Sequence, residues 1–561
     1  MQLFTGLSAL MGIAAFFATF AVPSEERNAF WMGYSKQRLL LGAVIALGIL
    51  FFALLWLRER KNGSLQRSFD GFARTGDRVY FIFIGLQCLL FAALWLFQFS
   101  WLFVPKNLRP ALLWAAGVFA LAAFLFHRQY NELFREGNFR EKYRLLPSFS
   151  DLSGKQRGVL AILIGMSLLY ILVLMPSNLN GSKDWAAFQS YSGDEFVMFP
   201  ILKNVLTPGN HFSETLYHHY IYEDYHYGYP FYAWSSIILS PLFPFFGTGV
   251  MEREHISVTL PILRVMGSVV PLMAGCLILV FLFTRFRSRI LSPAVYLFLL
   301  TAPGSLQNNQ GFWHPDGLNL FFICCALYFL QRDRYRFGRN FFAAAFFAGL
   351  SAATRLYGFF FFLAIGVYLL SGLIRKILNR KRMLLSALGF ILLMGLTILW
   401  ADPFILKKDA LEKMLAIMAE KTGEMSSGYN ADFNDPRNDY RPGWDAWYPA
   451  FEDHYTEMFC FFFLIGSLLF SCFYGDEQLA ARFTFLWWIV VSVYLIWFVA
   501  VKSTQYVLPM MLPLMSCIFN LPSALKTSRS SKIRLCAQIL SWGIYIAQLI
   551  INLIKIAPRF Y

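Results

Sequence analysis

Apolar runs long enough to cross a bilayer alternate with short polar connections along almost the whole chain. Fifteen such runs can be marked, at 3–22, 39–57, 79–103, 110–126, 158–175, 257–284, 290–303, 316–331, 340–353, 357–374, 383–402, 457–474, 483–501, 506–522 and 535–554. The runs 290–303 and 340–353 are short for a spanning helix, which needs about 20 residues. Two polar loops, 176–256 and 403–456, interrupt the rhythm, and loops of that length in a compact protein are usually functional. The pattern predicts an all-α polytopic membrane protein, a bundle of fifteen transmembrane helices with two long extracytoplasmic loops that carry interfacial helices.

Within those loops the apolar spacing again turns helical. Phe196, Met198, Phe199, Leu202 and Val205 follow Asp194-Glu195 as a short helix resting on the membrane, and Leu411, Met414, Leu415 and Met418 open the second loop as an amphipathic one. Residues 230–246 are apolar enough for a sixteenth span. Counting them would carry Arg285 to Arg289, Arg332 to Arg339, Arg375 to Arg382 and Lys526 to Arg534 to the outer face, so they are read as a helix lying on the outer interface.

Composition supports the membrane assignment. With 57% hydrophobic residues, 15% charged residues and a mean hydropathy of +0.51, the 561-residue chain has more apolar surface than a water-soluble core can hide. The net charge of +16 by itself suits nucleic acid. Its distribution does not, because with the N-terminus inside most Lys and Arg fall in inner loops and most acids in outer ones, as membrane insertion requires. No nucleic-acid partner is therefore expected. All eight cysteines, Cys88, Cys276, Cys324, Cys325, Cys460, Cys472, Cys517 and Cys536, fall in or at the ends of spans without disulfide or zinc spacing. The first apolar run lacks a basic leader and a small-residue cleavage site, which reads as a retained span. Three regions follow: a four-span accessory region at 1–157, a core at 158–522 that holds both long outer loops, and a basic inner loop with the final span at 523–561.

Candidate chemistry gathers at the outer ends of spans. Asp194 and Glu195 supply a carboxylate at headgroup depth, suited to a general base or to plain helix capping. Arg264, Arg355 and Lys502 are basic residues near the outer face, where they need a partner or a task. They suit a lipid phosphate, or ion pairing with Asp316 or Asp402. In His314-Pro315-Asp316 the acid can orient a sugar, receive a proton or cap the helix that Pro315 starts. The run from Tyr217 to Tyr229, including Tyr227, offers sugar-stacking rings or an idle interfacial belt. Asp432, Asp435 and Asp439 lack the glycine and terminal glutamate of a calcium loop.

In their order these residues resemble the GT-C superfamily of membrane glycosyltransferases, especially the branch of protein O-mannosyltransferases and the lipid A aminoarabinose transferase. The likeness covers residues 158–522 and rests on Asp194-Glu195-Phe196 with Asn204 to Asn210, on Gly228-Tyr229-Pro230 through Trp234, on Leu263-Arg264 with Gly267, on His314-Pro315-Asp316-Gly317-Leu318, and on Lys502-Ser503-Thr504-Gln505-Tyr506-Val507-Leu508-Pro509. It implies a GT-C-like helix bundle and an inverting transfer from a polyprenyl-phosphate sugar to a lipid, glycan or protein acceptor. Asp194 would be the base with Glu195 supporting it or touching the acceptor. Arg264, Arg355 and Lys502 would hold the phosphate, and His314, Asp316, Tyr227, Tyr229, Gln505 and Tyr506 would line the sugar. No cofactor is firmly predicted; use of a divalent metal stays open but is not favoured, and the expected setting is the bacterial inner membrane with an outward-facing site, surrounded by membrane lipids. The four N-terminal spans and the insertion 217–227 depart from the family's pattern. The rival class is a transporter or lipid flippase, which would place ionisable groups at the bilayer midplane within broken helices. A catalytically inactive scaffold on the same fold is a third reading.

Overall fold

The computed structural model describes residues 152–559, apart from 192, 223–224, 428–441, 475–476 and 528–529, together with isolated positions among the first 50. The expected spans before residue 127 and the acids Asp432, Asp435 and Asp439 lie outside the described residues, save those isolated positions. Every regular element described is a helix. In chain order they are α1 (Gly154–Leu179), α2 (Trp185–Tyr191), α3 (Gly193–Leu206), α4 (Phe212–Tyr220), α5 (Tyr229–Leu239), α6 (Arg253–Thr284), α7 (Leu291–Leu300), α8 (Pro303–Asn309), α9 (Asp316–Asp333), α10 (Arg339–Arg355), α11 (Tyr357–Ile374), α12 (Arg380–Ala401), α13 (Lys408–Ser427), α14 (Trp444–His454), α15 (Met458–Phe473), α16 (Gln478–Phe498), α17 (Thr504–Ala524) and α18 (Ser531–Ile556).

Seven of these, α1, α6, α11, α12, α16, α17 and α18, are long and apolar enough to cross a membrane. The pair α14 and α15, bent by 97°, makes an eighth if taken as one span. The protein is an integral membrane protein. The expected span 290–303 is corrected: α7 has 10 residues, about 15 Å of helix against a hydrocarbon core of about 30 Å. Pro303 then starts the separate helix α8. Helices α9 and α10 occupy the expected positions with 18 and 17 residues and are mostly buried.

The apolar pattern of α1 explains why a bilayer is required. Its buried residues Val159, Leu163, Ser167, Leu174 and Asn178 form one stripe at helical spacing. Leu168, Leu169 and Leu172 on the remaining faces are 58%, 62% and 67% exposed, an arrangement stable against lipid and not against water. A capping box between Ser153 and Gln156 starts this helix, and the Asn379 side chain, accepting from the Arg382 N–H, starts α12.

The chain forms two compact units. Among the described residues, one includes 203–222 and 403–412, and the other includes those of 152–202, 225–402 and 413–559. In the second unit α6, α9, α10 and α12 pack in succession, and of the seven candidate spans α17 is the most buried, with 83% of its most apolar stretch inside. Pro513 in α17 cannot donate to the carbonyl of Pro509, and the indole N–H of Trp487 takes that place at 3.0 Å, so that carbonyl is not stranded. In the first unit the Lys407 ammonium donates to the Tyr217 hydroxyl at 2.7 Å, and the rings of His218 and His219 meet the carbonyls of Thr207 and Val205.

Candidate functional site

Helix α3 begins with two carboxylates that part company at once. Successive residues on a helix point about 100° apart, so Asp194 is exposed while Glu195 is fully buried. Glu195 receives the Arg264 guanidinium in a two-pronged pair at 2.8 and 2.5 Å and the Trp313 backbone N–H at 2.6 Å. The remaining Arg264 donors reach the carbonyls of Asn178 at 2.9 Å and Asn180 at 2.5 Å. Burial pushes the Glu195 carboxyl upward, and the Arg264 charge and the Trp313 N–H pull against it.

Arg264 stands on a π-helical stretch, Leu263–Val269, inside α6, which starts two residues after Pro261. The widened turn carries Gly267 against the Trp313 ring and Ser268 against the His314 backbone, to which its hydroxyl is bonded at 2.8 and 3.1 Å. The head of α3, the π-helical turn and the 311–314 turn are thus fastened together at Glu195 and Ser268.

The next residues along that turn carry the chemistry. His314 Nδ1 meets Asp316 Oδ2, and His314 Nε2 lies 2.9 Å from the Tyr227 hydroxyl and 3.0 Å from an Arg355 nitrogen. Arg355 lies over the Tyr227 ring at 4.7 Å and donates to Asp316 Oδ2 at 3.3 Å. Its Nε lies 3.2 Å from Asp316 Oδ1, an ionic contact without hydrogen-bond direction, so both atoms keep an unused bonding capacity. Asp316 is the first residue of α9 and does not cap it by a side-chain bond; its carboxylate is spent on His314 and Arg355 instead. Phe312 stacks on the His314 ring. Burial holds the imidazole below its ordinary value, with Asp316 opposing, and burial pushes the Tyr227 phenol up. With Nδ1 turned to Asp316, the other ring nitrogen, Nε2, faces Tyr227 and Arg355.

Asp194, exposed at the start of α3 beside Glu195, lies within long-range electrostatic reach of His314 and Tyr227. Tyr506 joins from α17, within electrostatic reach of Arg355 and Tyr227, while its carbonyl accepts from the Tyr357 hydroxyl at 3.0 Å. Lys502, half-buried, donates to the Ala500 carbonyl at 3.0 Å and lies 6.0 Å from the Trp447 ring centre. Gln505 accepts from the Ser503 hydroxyl.

Of the expected pairings, Arg355 with Asp316 is present. Arg264 is bound to Glu195, not to Asp316 or Asp402, and its buried guanidinium holds the site together from behind where a phosphate contact was expected. Asp402 accepts from the Tyr229 N–H at 2.8 Å, fixing the first turn of α5, so Tyr229 is a buried docking residue. The tyrosines and histidines of 217–222 belong to the other compact unit. Trp313, Ser268, Asn178 and Tyr357 were not anticipated. The glycines at 267 and 317, both pressed against neighbouring segments, were the one trace of these contacts in the sequence.

Among the described residues no group of three or more His, Cys, Asp and Glu side chains is placed to hold a metal ion. No protein-family model matches the chain, and no curated protein is significantly similar to it. What the cluster can do chemically therefore rests on its own geometry. It combines an exposed carboxylate, an imidazole held between Asp316 and Tyr227, a guanidinium with an unused donor, and phenols between them.

Proposed function

We propose that this protein is an inverting glycosyltransferase that moves a sugar from a polyprenyl-phosphate donor to a hydroxyl-bearing acceptor on the extracytoplasmic side of the membrane. The observation that carries the proposal is the convergence of Asp194, Tyr227, His314, Asp316, Arg355 and Tyr506, drawn from distant parts of the chain, at the ends of apolar helices.

The roles follow from exposure and charge. Asp194 takes the proton of the acceptor hydroxyl as its oxygen attacks the anomeric carbon. The bond from that carbon to the phosphate oxygen breaks, its electron pair leaves with the polyprenyl phosphate, and the configuration inverts. Arg355 stabilises the charge that develops on the phosphate, and Lys502 supplies a second cation. His314 orders Tyr227 against the sugar, and Asp316 fixes the imidazole tautomer. Glu195 and Arg264 aim Asp194 without touching substrate.

Purified protein incubated with labelled polyprenyl-phosphate sugars is expected to release polyprenyl phosphate and to yield a product of inverted anomeric configuration. Retention of configuration, or unchanged donor across the plausible sugars and acceptors, contradicts the proposal.

A further inference from the structure

At the end of α9 remote from Asp316, two connections lie against each other, residues 334–338 between α9 and α10 and residues 375–379 between α11 and α12. A single buried acid organises the first. Asp333 accepts the backbone N–H of Phe337 at 2.8 Å and of Gly338 at 3.1 Å, together with the Tyr368 hydroxyl from α11 at 2.7 Å, and Tyr368 in turn accepts the Tyr335 N–H. Arg375 lies over the Tyr335 ring at 4.9 Å, and Gly372 presses on Phe337, so the two connections form one packed surface.

That surface is strained and strongly basic. Arg334, Tyr335, Phe337 and Lys376 are non-glycine residues with positive φ, each a strained conformation that persists only where the surroundings enforce it. Arg334, Arg336, Arg375, Lys376, Arg380 and Lys381 are exposed, and none of the six forms an ion pair among the described residues. The nearby acids are used elsewhere: Asp333 in the turn itself, and Glu477 in a two-pronged pair with Arg285 and a bond from Gln331. Immediately beside the cations stand exposed apolar side chains, Ile374 at 71% and Leu384 at 63%.

We propose that this surface binds the headgroups of anionic phospholipids. Exposed cations with bare isoleucine and leucine beside them match a phosphate attached to acyl chains, whereas a free anion has no use for the apolar side chains and an acidic peptide would leave them uncovered. The proposal is independent of the catalytic reading.

The test is native mass spectrometry of the detergent-purified full chain titrated with phosphatidylglycerol and with phosphatidylcholine of the same acyl chains. The wild type is expected to retain phosphatidylglycerol about tenfold better, as several juxtaposed cations imply, and to lose that preference as salt is raised. The variant Arg334→Gln/Arg336→Gln/Lys376→Gln/Lys381→Gln should bind both lipids alike. The comparison variant Arg287→Gln/Lys526→Gln/Lys532→Gln/Arg534→Gln removes equal charge from other basic segments and should keep the preference. Absence of preference in the wild type, a preference insensitive to salt, an unchanged preference in the first variant, or an equal loss in the second overturns the proposal.

Discussion

Removing the Arg264 guanidinium strands a fully buried carboxylate, and removing Glu195 strands a fully buried cation. Breaking one side of such a pair typically costs about 3–5 kcal/mol, whereas replacing both sides by apolar groups is often neutral. Arg264→Met should therefore lower the thermal midpoint of the purified protein sharply, and Glu195→Leu/Arg264→Met should recover much of the loss. A midpoint unmoved by Arg264→Met would show that the pair holds nothing. His314 gives a pH prediction with a definite sign. Burial lowers its proton affinity in the folded state, so the unfolded chain binds the extra proton first, and stability present above about pH 6.5 is lost as pH falls below it. The groups that face the ring are Asp316, Arg355, Tyr227 and, at longer range, Asp194. Thermal midpoints measured from pH 8 to pH 5 should fall more steeply for the wild type than for His314→Gln; parallel curves would contradict the assignment.

Helix α5 is held at its first turn by two backbone contacts: the Gly228 N–H donates to the Thr354 carbonyl at 3.3 Å, and the Tyr229 N–H donates to Asp402. A Cβ at 228 would overlap the Ala353 carbonyl oxygen. Overpacking of this kind costs about 1–3 kcal/mol, so Gly228→Ala should destabilise the protein by that amount in thermal unfolding, with Tyr227 displaced from His314. A variant as stable as the wild type would mean that the close approach is not real. The elements around this contact were legible in the sequence to different degrees. Helices α3, α5 and α13 were readable from apolar spacing and from Pro230, because an amphipathic helix writes its period into the chain. The run 290–303 was misread because continuous apolarity carries no information about where Pro303 restarts the backbone. The Arg355–Asp316 pair was legible because both residues stand at the ends of consecutive helices. The pairing of Glu195 with Arg264, 69 residues away, leaves no local trace, nor does the π-helical turn that aims the arginine.

Among the described residues, most of the candidate site stands at helix ends, while the outward faces of α1, α12 and α18 are apolar, with Leu384, Ile539 and Ile554 at 63%, 63% and 66% exposure. The candidate site and the basic surface at the far end of α9 are separated by the 18 residues of that helix, about 27 Å at its ordinary rise, close to a hydrocarbon thickness. The candidate site and the basic surface thus stand at opposite ends of one helix whose first residue is Asp316 and whose last is Asp333. The account depends most on the exposed carboxylate that the buried one holds in place. The measurement that tests it most directly is turnover of a labelled polyprenyl-phosphate sugar by Asp194→Asn beside the wild type, with thermal midpoint and donor binding recorded for both. The account predicts loss of turnover by about a hundredfold or more, the usual worth of a positioned base, with midpoint and donor binding retained. Turnover equal to that of the wild type would contradict it.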